Sequence, residues 1–260
     1  MSSYALITGA SKGIGFAIAE ELAKKGNNVL LIARSENLLK KAAIQIQDLY
    51  KVQADYLAID LTEEKAAQKI VDWCNEKKYS INILVNNAGY GLSGSFENYS
   101  LGEHTNMMQL NMNVPVELTY LLLPQLKQQQ QAYIMNVASG AAYQAVPGLN
   151  IYAASKAFIL SFSRGLKYEL KNTSISVTAV SPGATETDFP NRAKVTSAKA
   201  QKMAVKFNMQ PKEVASIAVN GMLAKKAEVV TGFVNKLAVF FAWLLPKTVL
   251  EKSAASIYDL

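Results

Sequence analysis

Cysteine and histidine are nearly missing: the 260 residues hold one of each, Cys74 and His104. A single cysteine excludes a disulfide framework and a CxxC metal pair. The two residues together cannot supply the ligands of a zinc site, so no metal is expected. Cys74, in IVDWCNEKK, reads as a packed, inert thiol. His104, in SLGEHTNMMQL, reads as a solvated histidine near a helix start. The opening MSSYALITGA lacks a basic segment followed by an apolar one, so no signal peptide is expected and the chain is assigned to the cytoplasm. No apolar run approaches the roughly 20 residues that cross a bilayer. Acidic residues are the scarcer charge, 20 against 27 basic, for a net charge of +7. Such an excess suits nucleic acid or an anionic membrane. Here the lysines are dispersed, and the KK pairs at 24–25, 40–41, 77–78 and 225–226 read as helix ends or solvated faces. No nucleic-acid partner is expected.

What is present is a full-sized core. The chain is 50% hydrophobic and 18% charged, which fits folded α/β domains and not disorder. Apolar runs alternate with helical patterns. The stretches YALITGA, NVLLIAR, ADYLAIDL, INILVNNAG, AYIMNVAS, ISVTAVSPG and EVVTGF read as seven strands. Between them lie helices, among them one capped by Ser35, one opening at Thr62, one long helix over 101–130 bent at Pro115, and one over 152–171. The strands are continuously apolar, as in a parallel sheet covered on both faces. The expected architecture is α/β: a single Rossmann-type domain, its doubly wound parallel sheet of about seven strands flanked by helices.

The first strand runs into TGASKGIG, at 8–15, and directly into a helix. That context favours a pyrophosphate held at a helix N-terminus, although the spacing is G-x-x-x-G-x-G and not G-x-G-x-x-G. The second strand ends at Arg34, where an NAD-binding fold would carry an acidic residue; an arginine there suits a 2′-phosphate, and Lys12 is within reach of the same group. In IYAASKAFILSFSRGL, Tyr152 and Lys156 stand four apart and therefore share one helix face. A phenol and an ammonium with ordinary pKa values of about 10 and 10.4 do little acid–base work at neutral pH unless each changes the other.

TGASKGIG, NNAG (86–89), Asn111 in LNMNVP, Ser139 in NVASG, YAASK and SPGATET occur in the order and spacing of the short-chain dehydrogenase/reductase family, which the chain resembles over residues 4 to about 234. The resemblance implies an oxidoreductase that binds NAD or NADP and interconverts alcohols and carbonyls. On the matching positions it implies Tyr152 as general acid/base, Lys156 stabilising its phenolate and holding the nicotinamide ribose, Ser139 on the substrate oxygen, and Asn111 holding a water for proton relay. It further implies cofactor contacts from Gly9, Ser11, Lys12, Gly13, Ile14, Gly15, Arg34, Asp60, Leu61, Asn87, Ala88, Gly89, Pro182, Gly183, Thr185 and Thr187, with Asn86 supporting the sheet. With Arg34 and Lys12 the expected cofactor is NADP(H).

Residues 1–235 are read as the catalytic domain, with a substrate lid at about 188–210, and 236–260 as an apolar extension of it. The lid's alanine, methionine and phenylalanine content suits an apolar substrate, while core packing accounts equally for Met203, Phe207 and Met209. Residues 237–245 are expected to be buried in a subunit interface of a homodimer or homotetramer or over the substrate pocket; lying on a membrane surface is the alternative. Two other functions remain open: a non-catalytic nucleotide-binding regulatory protein, which the intact Ser139, Tyr152 and Lys156 oppose, and a Rossmann methyltransferase, which Arg34 and YAASK oppose.

Overall fold

In the computed structural model, which describes residues 3–259, strands and helices alternate as their hydrophobic pattern requires. The order is β1 (Ser3–Thr8), α1 (Gly13–Lys24), β2 (Asn28–Ala33), α2 (Glu36–Tyr50), β3 (Ala54–Ala58), α3 (Ala66–Glu76), β4 (Ser80–Asn86), α4 (Leu101–Met108), α5 (Val114–Lys127), β5 (Ala132–Val137), α6 (Asn150–Glu169) and β6 (Ile175–Ser181). It continues with α7 (Phe189–Arg192), α8 (Ala198–Phe207), α9 (Pro211–Leu223), β7 (Glu228–Val230), α10 (Phe233–Leu244) and α11 (Lys247–Ile257). All seven strands are parallel, in the order β3-β2-β1-β4-β5-β6-β7. The order reverses between β1 and β4, and such a switch point opens a crevice at the carboxyl ends of the strands.

The strands are apolar on both faces because both are covered. Ile18, Leu22, Leu39, Ile46, Val219 and Met222, from α1, α2 and α9, pack on one face. Ile70, Cys74, Leu118 and Leu122, from α3 and α5, pack on the other. Each fully buried Leu or Ile contributes about 1.5–3 kcal/mol relative to exposure. Cys74 is fully buried, which pushes its thiol pKa up to about 12; it is the inert thiol the sequence suggested.

A chain of buried amides crosses the middle of the sheet. Asn86 Nδ2 donates to Asn136 Oδ1 (2.8 Å), Asn136 Nδ2 to Ser163 Oγ (2.9 Å), and Ser163 Oγ to the Ile159 carbonyl (2.6 Å). These bonds tie β4 to β5 and β5 to α6. A one-residue shift of α6 would leave several buried polar groups unpaired, at about 1–3 kcal/mol each.

Several local expectations need correction. The helix of 101–130 is two helices joined by a π turn over Gln109–Asn113, with Pro115 in the first turn of α5. α3 starts at Ala66 and not at Thr62, because Thr62 bonds the Asp60 carboxylate through both its N–H and its hydroxyl (3.0 and 2.9 Å). Ser35 occupies the N-cap position of α2 without a side-chain bond. His104 is not solvated: it is buried, its ring lies flat on Phe96 and its Nε2 pairs with the Phe96 carbonyl (2.9 Å). Met203 and Phe207 are exposed on α8, so neither is a core residue.

The tail covers the cleft only in part. α10 turns Asn235, Ala238 and Val239 toward the crevice, and Ala242 is buried. The opposite face carries Phe233, Val234, Leu237, Phe240, Phe241 and Leu244, all exposed. The pocket therefore buries little of this stretch: Ala238 lines it but stays exposed, and Val239 is half-buried. Among the described residues no helix is long and apolar enough to cross a membrane.

Candidate active site

The carboxyl ends of β1 to β6 open into one cleft of about 970 Å3. Its floor is the loop between β1 and α1. The short G-x-x-x-G-x-G spacing matters here for space: a Cβ on Gly15 would sit 2.3 Å from the Gly9 carbonyl oxygen and 2.4 Å from Asn87 Nδ2. Backbone cannot yield to such a contact, so the loop can lie flat under a ligand only with glycine at 15. Asn87 Nδ2 donates to the Thr8 carbonyl (2.9 Å), and Thr8 Oγ1 accepts from the backbone of Asn87 (3.0 Å) and Ala88 (3.1 Å). β1 and β4 are thereby locked at the switch point. Lys12 stands at the N-cap of α1 and makes no side-chain cap bond, so the helix presents its N-terminus to the cleft. This is the donor arrangement that a pyrophosphate needs, and the residues present fit a dinucleotide.

Of the expected site residues, Gly9, Ser11, Lys12, Gly13, Ile14, Gly15, Arg34, Asp60, Leu61, Asn87, Ala88, Gly89, Ser139, Tyr152, Lys156, Pro182, Gly183, Thr185 and Thr187 all line the cleft. Asn111 does not; it lies behind the wall, 1% exposed. The π turn aims its side chain at Tyr90, whose N–H it accepts (3.1 Å) and whose carbonyl it donates to (2.9 Å). It also donates to Ser155 Oγ (3.0 Å), which in turn donates to the Tyr152 carbonyl (2.7 Å). Asn111 thus fastens the loop after β4 to α6, and π turns are frequent where function needs such a reach.

Tyr152 and Lys156 lie on the buried face of α6. Lys156 Nζ donates to the Val137 carbonyl at the end of β5 (2.8 Å) and stands 5.9 Å from the centre of the Tyr152 ring. Burial lowers the Lys156 pKa to about 8. Burial raises that of Tyr152, and a hydrogen bond with Ser139 opposes the rise. This modifies the sequence reading, in which the lysine charge lowers the phenol: desolvation sets the shift, and the group that opposes it is Ser139. Ser139 Oγ also accepts from the Ala141 N–H (3.1 Å), which fixes the hydroxyl.

At the far end of the cleft the charges are paired. Lys12 Nζ meets the Asp188 carboxylate at 2.6 Å, and Arg34 meets Asp60 at 3.6 Å. Burial pushes the Asp60 carboxyl up, but the Thr62 hydrogen bonds and the Arg34 charge outweigh it and hold it below the usual range.

Tyr90, Phe189, Arg192 and Tyr258 also line the cleft, and none of them stood out in the sequence. Tyr90 directly follows NNAG and was legible by adjacency. Arg192 lies over the Tyr90 ring, 5.8 Å away. Desolvation, then the charge of Arg34, push its guanidinium pKa down. The residue is nevertheless exposed, so water screens most of that penalty. Phe189 packs its ring 5.1 Å from that of Tyr152.

A sequence model described as short chain dehydrogenase matches residues 3–222. The chain is 30% identical over 226 residues to the ketoacyl reductase HetN of a Nostoc species, covering 86% of this chain and 77% of that one. It is 35% identical over 197 residues to hydroxysteroid dehydrogenase-like protein 1 of Gallus gallus, covering 75% of this chain and 59% of the chicken protein. A short-chain dehydrogenase from Sphingobium yanoikuyae, solved in complex with NADPH, superposes with a TM-score of 0.81 at 30% identity, covering 89% of this chain and 88% of that chain. The chain belongs to the short-chain dehydrogenase/reductase family of oxidoreductases.

The pKa of Lys156 carries a consequence for stability. Below pH 8 the lysine is charged in both folded and unfolded chains, and the folded state bears the full cost of burying it. Between about 8 and its ordinary 10.5 the unfolded chain holds a proton that the folded one has shed, so stability rises with pH. Lys156→Met lacks this gain. Its stability relative to the wild type is expected to fall by up to about 3 kcal/mol between pH 7 and 10.5, measured by urea unfolding at several pH values.

Proposed function

We propose that the protein is an NADP(H)-dependent reductase or dehydrogenase that interconverts a carbonyl and a secondary alcohol. The observation that carries the reading is the convergence, in one cleft, of Ser139, Tyr152 and Lys156 with a glycine loop flanked by Lys12 and Arg34. The bound cofactor would supply a hydride to the carbonyl carbon. The rest belongs to this chain. Ser139 holds the carbonyl oxygen and Tyr152 passes its hydroxyl proton to it. Lys156, when charged, stabilises the phenolate left behind and holds the nicotinamide ribose. The proton returns from solvent through a water on the Asn111 backbone carbonyl, whose side chain is already committed to Tyr90 and Ser155.

Gly9, Ser11, Gly13, Ile14 and Gly15 cradle the pyrophosphate. Asp60 and Leu61 meet the adenine, and Asn87, Ala88 and Gly89 line the cofactor. Pro182, Gly183, Thr185 and Thr187 hold the nicotinamide carboxamide and pyrophosphate. Lys12 and Arg34 support a 2′-phosphate at the adenosine end: each is paired there only with a partly exposed carboxylate, Asp188 and Asp60, a weak contact that a phosphate could replace, and Arg192 adds a third cation nearby.

A non-catalytic nucleotide-binding protein has no observation in its favour. Tyr152→Phe keeps the packing and removes only the proton donor. It is expected to lower kcat by about 10²-fold or more while NADPH Kd stays near that of the wild type; a variant with wild-type kcat would overturn the assignment. Arg34→Asp is expected to weaken NADPH by about 10–100-fold, since charge-assisted contacts contribute about 1.5–3 kcal/mol, and to leave NADH unchanged or improved. Equal wild-type Kd values for the two cofactors in calorimetry would refute the preference.

We also assign a homodimer or homotetramer. The support is the outward face of α10, where Phe233 is 75% and Leu244 56% exposed; an apolar patch of that extent marks an interaction surface. Sedimentation is expected to show a dimer or tetramer. A monomer that binds anionic vesicles would instead identify the face as a membrane contact.

A further inference from the structure

The last turn of the chain reaches back into the active site. Tyr258, just beyond α11, joins the apolar cluster that holds Tyr152, Leu149 and Phe189, and it lines the same cleft. Nothing in the dehydrogenase motifs calls for a residue there.

The placement is built, not incidental. Gly148, at φ +84°, carries no side chain where a Cβ would fall 2.5 Å from the Tyr258 Cβ, so the loop before α6 is shaped around this tyrosine. Ser197 Oγ, the N-cap of α8, donates to the Ile257 carbonyl (2.6 Å). Lys199 Nζ donates to the Ser256 carbonyl (3.2 Å) and pairs with Asp259 (3.4 Å). α8 therefore grips the backbone just before Tyr258 and the Asp259 side chain just after it. Burial pushes the Tyr258 phenol up to about 12, and the neighbouring Tyr152 adds to the rise, so the ring sits close to the reacting phenol in an uncharged state.

We infer that Tyr258 is a specificity-determining residue of the substrate site: its ring, with Phe189 and Leu149, forms an apolar wall that accepts an uncharged carbonyl compound and sets the size of the substituent beside the carbonyl. This rests on the reductase reading above and adds to it the class of substrate and the residue that limits it. The lever is shape. A phenol contributes an aromatic face of fixed position because its neighbours hold the backbone, and truncating it opens space next to Tyr152 without touching the glycine loop.

The test uses cyclohexanone as a small ketone and benzophenone as a bulky one, with NADPH. Tyr258→Ala is expected to raise the ratio of kcat/KM for benzophenone over cyclohexanone by about tenfold or more, the effect of roughly 1.4 kcal/mol of relieved crowding. Tyr258→Phe should keep the wild-type ratio, and NADPH Kd should be unchanged in both. Benzhydrol binding followed by calorimetry should tighten in Tyr258→Ala, a readout independent of turnover. Should Tyr258→Ala fold poorly, Gly148→Ala, whose methyl must push the ring from outside the cleft, is expected to shift the ratio away from the wild-type value. A wild-type enzyme that reduces ketones, with an unchanged ratio in these variants, overturns the role of Tyr258. A wild type that binds NADPH and reduces neither ketone overturns the reductase reading, and the proposal with it.

Discussion

The hydrogen bond from Lys156 to the Val137 carbonyl is the constraint on which the site depends. It joins the middle of α6 to the end of β5, and it does so with a buried cation that has been stripped of water. Such a group is held only where the surrounding structure fixes it. The amide chain from Asn86 through Asn136 to Ser163 supplies that fixing one to two turns further along the same helix. With both in place, Tyr152 has a single position, one turn from the lysine and beside Ser139. The folded state is less stable for carrying this lysine at neutral pH, as is common where residues are arranged for chemistry and not for packing.

The opposite side of the cleft is assembled from pieces distant in sequence, held by polar contacts at the surface. Lys12 of the glycine loop reaches Asp188 just before α7, and α8 holds the turn that ends α11 through Ser197 and Lys199. The two lysine contacts are exposed, so each contributes little by itself, whereas Ser197 is buried and its bond to the Ile257 carbonyl is the firmer hold. Phe189, packed on Tyr152, closes this side of the cleft with an apolar face.

How far this was legible from the sequence depended on whether a residue's partners lie nearby in the chain. The strands could be read because a parallel sheet buried on both faces leaves uninterrupted apolar runs, as β6 shows with every residue buried. The residues of the glycine loop and of YAASK could be read because their chemistry fixes a local spacing. The π turn could not, since nothing in QLNMN breaks a helical pattern; it exists because Asn111 must meet Tyr90 and Ser155 at once. His104 was misjudged for a similar reason, its cover being Phe96 on a separate turn. Tyr258 carries no local signal: only the folded chain brings it beside Tyr152. How little of α10 faces the cleft was not legible: its apolar residues outnumber what one face can bury, so its large ones turn outward, on the face proposed to meet a second subunit.

β1 lies inside the sheet, with β2 on one side and β4 on the other. During synthesis β2 follows it closely, but β4 begins at Ser80. At about 5–20 residues per second, the second edge of this apolar strand waits on the order of several seconds for its partner to be made. Pairings so far apart in the chain also slow folding, because loop closure precedes the contacts that reward it. The strand that carries the glycine loop therefore leaves, for a time, an unpaired apolar edge on the nascent chain, and production of the protein should gain from slower expression at low temperature or from abundant chaperones.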